Sequence, residues 1–306
     1  MQIALKVDAD TLRGTRYGVP RLVEILKARE AGATFLFSLG PDHTGRALAR
    51  VFRRGFLGKV RRTSVVSHYG VKTLLYGTLL PGPDIGRECA GVMRDVRNVG
   101  FEVGIHTWDH VLWQDNVARA NAGWTLKQIT LASDRFREIF GTDARVHGAA
   151  GWQMNSHAWG LARHFGFEFC SDTRGTGPFI PVTQEESVAC PQLPTTLPTL
   201  DEMLGVDGAN ADDVVNRLLE QTRQSKPDGH VFTLHAELEG MKLSPLFERL
   251  LDGWGEQGHE LVSLGAYSRA LQIDALPRHE IQYAEIPGRS GTLAIQGRRV
   301  DSPSQV

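Results

Sequence analysis

The stretch Phe101-Glu102-Val103-Gly104-Ile105-His106-Thr107-Trp108-Asp109-His110 decides how this chain is read. Val103 and Ile105 share one face of an alternating run, so 101–105 reads as a strand that ends at His106, with His110 in the loop after it. A zincin-type helix puts Glu directly after its first His, and Thr107 stands there instead. In a β/α barrel, strand C-terminal ends and the loops after them are where chemistry collects. A second stretch, Val7-Asp8-Ala9-Asp10-Thr11, sets two acids at the end of another apolar run. Two histidines and one acid can supply three N/O ligands with an open position, and the other acid a base, as metal-assisted hydrolysis needs. The spacing alone does not decide. A chain with 11 histidines can hold an HxxxH pair by chance, and paired acids at strand ends often cap the next helix.

Working outward, strand-like and helix-like patterns alternate. Strands are expected at 1–7, 33–39, 101–105, 145–149, 168–171, 230–235 and 260–264. Helices are expected at 19–31 (opened by Pro20, closed by Gly32), 85–98, 125–140, 156–165, 211–224 and 245–254. That order predicts an α/β fold with a mainly parallel sheet, long enough for a distorted or incomplete (β/α) barrel. One catalytic domain is expected over 1–275. Residues 276–306, with Gly288, Gly291 and Gly297 among polar neighbours, read as a C-terminal tail laid on the surface or partly disordered.

The 306 residues can bury one large core or two modest ones, and the net charge of −1 gives no global reason to expect nucleic acid. Cys89, Cys170 and Cys190 are odd in number and form no CxxC, which argues against a disulfide framework and fits a reducing compartment. The chain starts directly in an alternating strand, with no evident signal peptide, and no window has 18 uninterrupted apolar residues.

One segment after the second strand breaks the rhythm. Between Asp42 and Asp84 lie Arg46, Arg50, Arg53, Arg54, Lys59, Arg61, Arg62 and Lys72, with no acidic residue. Phe52, Phe56, Tyr69 and many aliphatic residues are interleaved. A connection this long (about 43–83) inside a compact domain is usually functional. Its chemistry suits an anionic bilayer surface, where each cation contributes roughly 1 kcal/mol. The competing readings are a helical hairpin packed on the barrel and a basic groove for RNA, for which no motif is present.

Asp8-x-Asp10 and His106-x-x-x-His110 resemble the first two motifs of the polysaccharide deacetylase (NodB-type) family, whose fold is a distorted β/α barrel. Asp172 and His235 fall where its later motifs should be. The chain is most similar to one branch, the 4-deoxy-4-formamido-L-arabinose-phosphoundecaprenol deformylases. That resemblance rests on 7–16 (Val-Asp-Ala-Asp-Thr-Leu-Arg-Gly-Thr-Arg), Gly151-Trp152, Ser171-Asp172-Thr173-Arg174-Gly175, Leu197-Pro198-Thr199 and His235-Ala236-Glu237-Leu238-Glu239-Gly240. It spans roughly residues 3 to 265.

The resemblance implies that Asp10, His106 and His110 bind one divalent metal ion, for which the ligand types accept Zn, Mn, Co or Fe. It makes Asp8 the general base, His235 the general acid, and Asp172 the group that orients His235. Arg174 would meet an acidic partner or the substrate phosphate. Arg13, Trp152 and Glu237 complete the candidate substrate contacts, against a core role for Trp152 and a solvated loop for Glu237 and Glu239. The implied substrate is an undecaprenyl-phosphate-linked formamido sugar. Its amino-sugar product would be the donor for lipid A modification and polymyxin resistance. The implied setting is cytoplasmic, at the inner face of the bacterial inner membrane, with the 43–83 insertion on the anionic surface and no nucleic acid. The alternatives are an N-deacetylase of another acylated sugar and a non-catalytic lipid-binding barrel.

One departure stands out. The deacetylases carry an Arg-x-Pro-aromatic third motif whose arginine pairs with the base, and this chain has His147-Gly148-Ala149-Ala150-Gly151-Trp152. Arg174 or Arg13 is the expected substitute. The small residues would let backbone N–H groups approach the oxyanion. His43 and His68 are expected at the surface, and Tyr17, Cys89 and Cys170 in packing.

Overall fold

In the computed structural model, residues 1–47, 73, 75–183, 188 and 190–300 are described. Ten strands among the described residues run in chain order as β1 (Gln2–Ala9), β2 (Thr34–Ser38), β3 (Glu102–Thr107), β4 (Val146–His147), β5 (Phe169–Cys170), β6 (Ile180–Val182), β7 (His230–His235), β8 (Glu260–Val262), β9 (Arg278–Ala284) and β10 (Leu293–Arg299). The main sheet is parallel in the order β5-β4-β3-β2-β1-β7, with β8 also pairing β1. It is an incomplete barrel. The edge between β5 and β7 is bridged by an irregular segment: Leu193 N donates to Cys170 O (2.8 Å), Thr195 N to Thr173 O (3.0 Å) and Thr196 N to Val231 O (3.0 Å).

Strand alternation sorts the side chains into two cores. Ile3, Leu5, Val7 and Ala9 of β1 join Phe35, Phe37, Ile105, Phe232 and Leu234 in the large cluster under the helices. Ala4, Leu36, Val146, Phe169 and Val231 form a smaller cluster on the other face. Lys6 and Asp8 continue the Ala4 face toward the C-terminal end of β1, and both are buried. That face is therefore apolar low in the barrel and ionisable at its top, where the strands end.

Helices start where a side chain can accept the first free N–H groups. Ala122–Phe140 is capped by Asn121, which accepts from Trp124 N (2.9 Å), and stops at Gly141 with φ 71°. It begins three residues before the expected 125–140, because the cap precedes the apolar periodicity. His110 is not in a loop: Asp109 accepts from Leu112 N and makes His110 the first residue of the helix His110–Asn116.

The expected tail is a correction as well. β9 and β10 pair antiparallel, and β9 pairs β6 in parallel. Leu293 and Ala294 are fully buried. Buried apolar residues and a strand partner hold this hairpin in place, and neither is visible in the polar composition of 276–306. Tyr17, expected in packing, is 61% exposed. Most of the 43–83 insertion, including His68, lies outside the described residues, and with it the helical-hairpin, RNA-groove and membrane readings. No helix among the described residues is long and apolar enough to cross a membrane.

Candidate active site

The ends of β1 and β3 bring the two opening stretches together. Nε2 of His106 is 3.2 Å from Oδ1 of Asp10, and Nε2 of His110 is 3.4 Å from Oδ2 of the same carboxylate. Nδ1 of His106 donates to Gly148 O (2.7 Å), which leaves Nε2 with a lone pair directed at Asp10. Asp10 Oδ1 and His106 Nε2 are buried and have no hydrogen-bond partner in the protein. Three ligand atoms within 4.8 Å of one another, two of them unsatisfied, fit a divalent cation. Burial works against ionisation of Asp10, but His110, His106 and His235 together hold its carboxyl well below the usual range. Burial also lowers the pKa of His110, against the pull of Asp10, which favours the neutral ligand form.

The loop carrying Asp10 is braced from below by Glu237. Its Oε1 accepts from Asp10 N (3.0 Å), Thr11 N (2.8 Å) and Thr11 Oγ1 (2.8 Å). A Cβ on Gly14 would overlap this carboxylate, so glycine is required there for the close approach. Glu237 is thus a support of the loop carrying Asp10 rather than the expected substrate contact or solvated residue. Burial first, and Asp10 second, push its carboxyl well above the ordinary carboxylate range. His110 has its own brace: Asp109 Oδ2 accepts from Nδ1 of His43 (2.6 Å), so His43 is a strut and not a surface residue.

Asp8 lies one strand away from His235, paired with it in the β1–β7 register. Its Oδ1 is buried and without a partner, and its Oδ2 is 3.4 Å from Nζ of Lys6. Lys6 is fully buried, donates to Ser171 O (3.0 Å) and lies 5.1 Å from the ring of Trp152. Among the described residues the cation beside Asp8 is therefore Lys6, in place of the expected Arg174 or Arg13. Arg174 instead pairs with Glu202 Oε1 (2.5 Å), and Arg13 Nη1 contacts Met241 Sδ (3.3 Å).

Asp172 does not orient His235. It accepts from His147 Nδ1 (2.7 Å), Ala149 N (2.8 Å) and Gln192 Nε2 (3.2 Å), because β4 and β5 place His147 and Cys170 side by side. Ala149 N is thereby occupied, as is Gly148 N on Ile105 O, so neither is free for an oxyanion. The groups near His235 are others. Glu239 Oε2 accepts from its backbone N (2.7 Å), and Asp201 Oδ1 lies 3.9 Å from its Nδ1. Burial pushes Glu239, fully enclosed, up to about 7. Trp152 is 1% exposed and donates Nε1–H to Thr195 Oγ1 (3.1 Å). It is a buried plate flanked by the guanidinium groups of Arg174 (4.9 Å) and Arg289 (4.8 Å).

A probable 4-deoxy-4-formamido-L-arabinose-phosphoundecaprenol deformylase, ArnD, of Shewanella sediminis (strain HAW-EB3) is 36% identical over 301 residues, 98% of this chain and 96% of that protein. The chain belongs to the ArnD deformylase family. A second probable ArnD, from Wigglesworthia glossinidia brevipalpis, is 31% identical and covers 92% of the chain and 98% of that protein. No family model matches the chain. Among solved structures, a putative polysaccharide deacetylase from Mycobacterium smegmatis shares the fold with a TM-score of 0.63 at 15% identity, over 93% of this chain and 94% of that one.

Within this ArnD-type chain, sequence reasoning missed Lys6, His43, Asp201 and Arg289. Lys6 alone carried a usable signal: it shares the alternating face of Ala4 and Asp8, on a strand whose neighbours on both sides are buried. Asp201 and Arg289 gave none, since 88 residues separate them and only the hairpin brings them together.

Proposed function

We propose that this chain hydrolyses the formamide of 4-deoxy-4-formamido-L-arabinose-phosphoundecaprenol, giving formate and the lipid-linked amino sugar. The observation that carries the reading is the pair of unpartnered buried atoms, Asp10 Oδ1 and His106 Nε2, with Asp8 and His235 facing the same strand end. Asp10, His106 and His110 would hold the ion; the donor set is compatible with Zn, Mn or Co. A divalent ion there supplies Lewis-acid polarisation of the carbonyl and acidifies a water. Asp8 accepts the proton of the attacking water through its unpartnered Oδ1, while Lys6 fixes the other oxygen. As the tetrahedral intermediate collapses and the C–N bond breaks, His235 protonates the departing amine nitrogen. Arg13 and Arg174 are the cations assigned to the sugar phosphate, with the buried Trp152 ring stacked behind Arg174. The basic-apolar insertion at 43–83 meets the anionic inner-membrane surface that presents the lipid, and the product serves as donor for lipid A modification.

The test is formate release from the lipid-linked substrate by chelated protein reloaded with single metals. Asp8→Asn retains bound metal and loses turnover, by about 100-fold or more. Appreciable turnover in that variant, or faster release of acetate than formate from matched sugars, overturns the reading.

A further inference from the structure

Arg289 enters the site from the connection between β9 and β10. Gly288 and Gly291 flank it at φ 89° and 77°, a conformation that glycine adopts at little cost. Ser290 O accepts from Gln153 Nε2 (2.8 Å), and Gln153 O accepts from Trp113 Nε1 (2.7 Å) on the helix that carries His110. On the other side, Arg174 N donates to Ala294 O (3.0 Å) and Gln296 N to Arg174 O (2.8 Å). The hairpin is thus fastened to Gln153 through its connection and to Arg174 through β10.

From there the guanidinium reaches three acceptors. Nε donates to Glu202 Oε1 (2.6 Å), and Nη2 to Thr199 Oγ1 (2.5 Å) and Asp201 Oδ1 (3.1 Å). Asp201 and Glu202 are adjacent acids on a four-residue helix, Leu200–Met203, and would repel each other without a cation between them. Burial disfavours the charge on Asp201, and Arg289 first, then His235, restores it. Asp201 Oδ1 faces Nδ1 of His235 at 3.9 Å, and that nitrogen is buried with no hydrogen-bond partner in the protein. Catalytic hydrogen bonds are commonly long before substrate binds and tighten in the complex.

We propose that the C-terminal hairpin is a working part of the active site: Arg289 is a positioning residue that holds the Asp201 carboxylate facing Nδ1 of His235, leaving Nε2 to deliver the proton to the leaving amine. The identity of that proton transfer rests on the deformylase reading above; the Arg289–Asp201–His235 arrangement does not.

The experiment uses the full chain, metal-loaded, with Arg289→Gln, Arg289→Lys, Asp201→Asn and the double variant Arg289→Gln/Asp201→Asn. Arg289→Gln lowers kcat by about 10- to 100-fold with KM and metal content unchanged. Asp201→Asn has a similar effect, and the double variant is no worse than either single. Lysine keeps the charge but not the fork, so Arg289→Lys recovers part of the rate. Nitrogen-15 spectra of the histidine rings give a substrate-free readout: the His235 tautomer signals shift in Arg289→Gln and in Asp201→Asn. Retained kcat, a rise in KM alone, multiplying effects, or unmoved His235 signals each overturn the proposal. Should Arg289→Gln lose its fold, Arg289→Lys and Asp201→Asn carry the same comparison. A wild-type protein that releases no formate sinks the deformylase reading, while the ring spectra still decide the positioning role.

Discussion

Two clusters of metal-ligand residue types sit on neighbouring strands. Asp10, His106 and His110 gather at the ends of β1 and β3; His147, Cys170 and Asp172 gather where β4 meets β5. Proximity does not separate them, since both sets of atoms lie within 4.8 Å. Hydrogen bonding does. In the first cluster Asp10 Oδ1 and His106 Nε2 have no partner, and Asp10 and His110 retain 16% and 18% side-chain exposure. In the second, all three residues are buried, the Asp172 carboxylate has three donors, and Cys170 Sγ lies 3.5 Å from Cys190 Sγ. One cluster is open and unsatisfied, with a path to solvent, and the other is a closed polar brace. A buried polar group left unmade is costly, so the unpartnered cluster is the candidate ligand site and the saturated one serves the fold.

The sharpest way to break this contrast is to remove one histidine from each cluster. His106→Ala abolishes metal binding and formate release, read by elemental analysis and turnover. His147→Ala keeps the metal stoichiometry and loses about 4 kcal/mol in urea unfolding, because Asp172 is left as a buried unpaired charge. Comparable metal loss in both variants would falsify the distinction.

Next in size is Lys6→Met, which removes the buried cation beside Asp8 and costs about 3 kcal/mol in the same unfolding measurement. A loss under about 1 kcal/mol, the range of exposed pairs, would show that Lys6 is not what compensates Asp8.

The last effect concerns Glu239, which burial raises from 4.5 to about 7 against the opposing pull of His235. Its folded-state pKa is the higher one, so the folded protein keeps a proton that the unfolded chain has lost. The stability this contributes is complete below pH 4.5 and falls as pH rises to about 7. Glu239→Gln cannot ionise and flattens that decline, on the order of 3 kcal/mol over the window. Unfolding curves at several pH values, metal content held constant, check it; identical slopes in the two proteins refute the placement of the charge.

How far the sequence was legible follows from what each residue depends on. The ends of β1 and β3 are local facts: alternation fixes the strand, and the four-residue step fixes His106 against His110. The partner of Asp172 depends on which strands lie side by side, and the sequence order could not choose between His147 and His235. Lys6 was hidden because a lysine in an alternating run ordinarily marks a solvent face, and here both faces of β1 are covered. The hairpin was read from its polar composition, while its placement depends on Leu293, Ala294 and a strand partner 98 residues earlier.

The pairing of β1 with β7 also governs how this centre is assembled in time. Asp10 N and Glu237 are joined across 227 positions of chain, and Arg289 reaches Asp201 across 88. A growing chain emerging from the ribosome carries both acids of β1 almost at once, yet neither meets His235 until more than two hundred further residues have followed. Contacts this distant in sequence form late and slowly. Until then the acids, the lysine and the edge of β1 that β7 will cover are exposed together, and an uncovered strand edge is the kind of surface that aggregates.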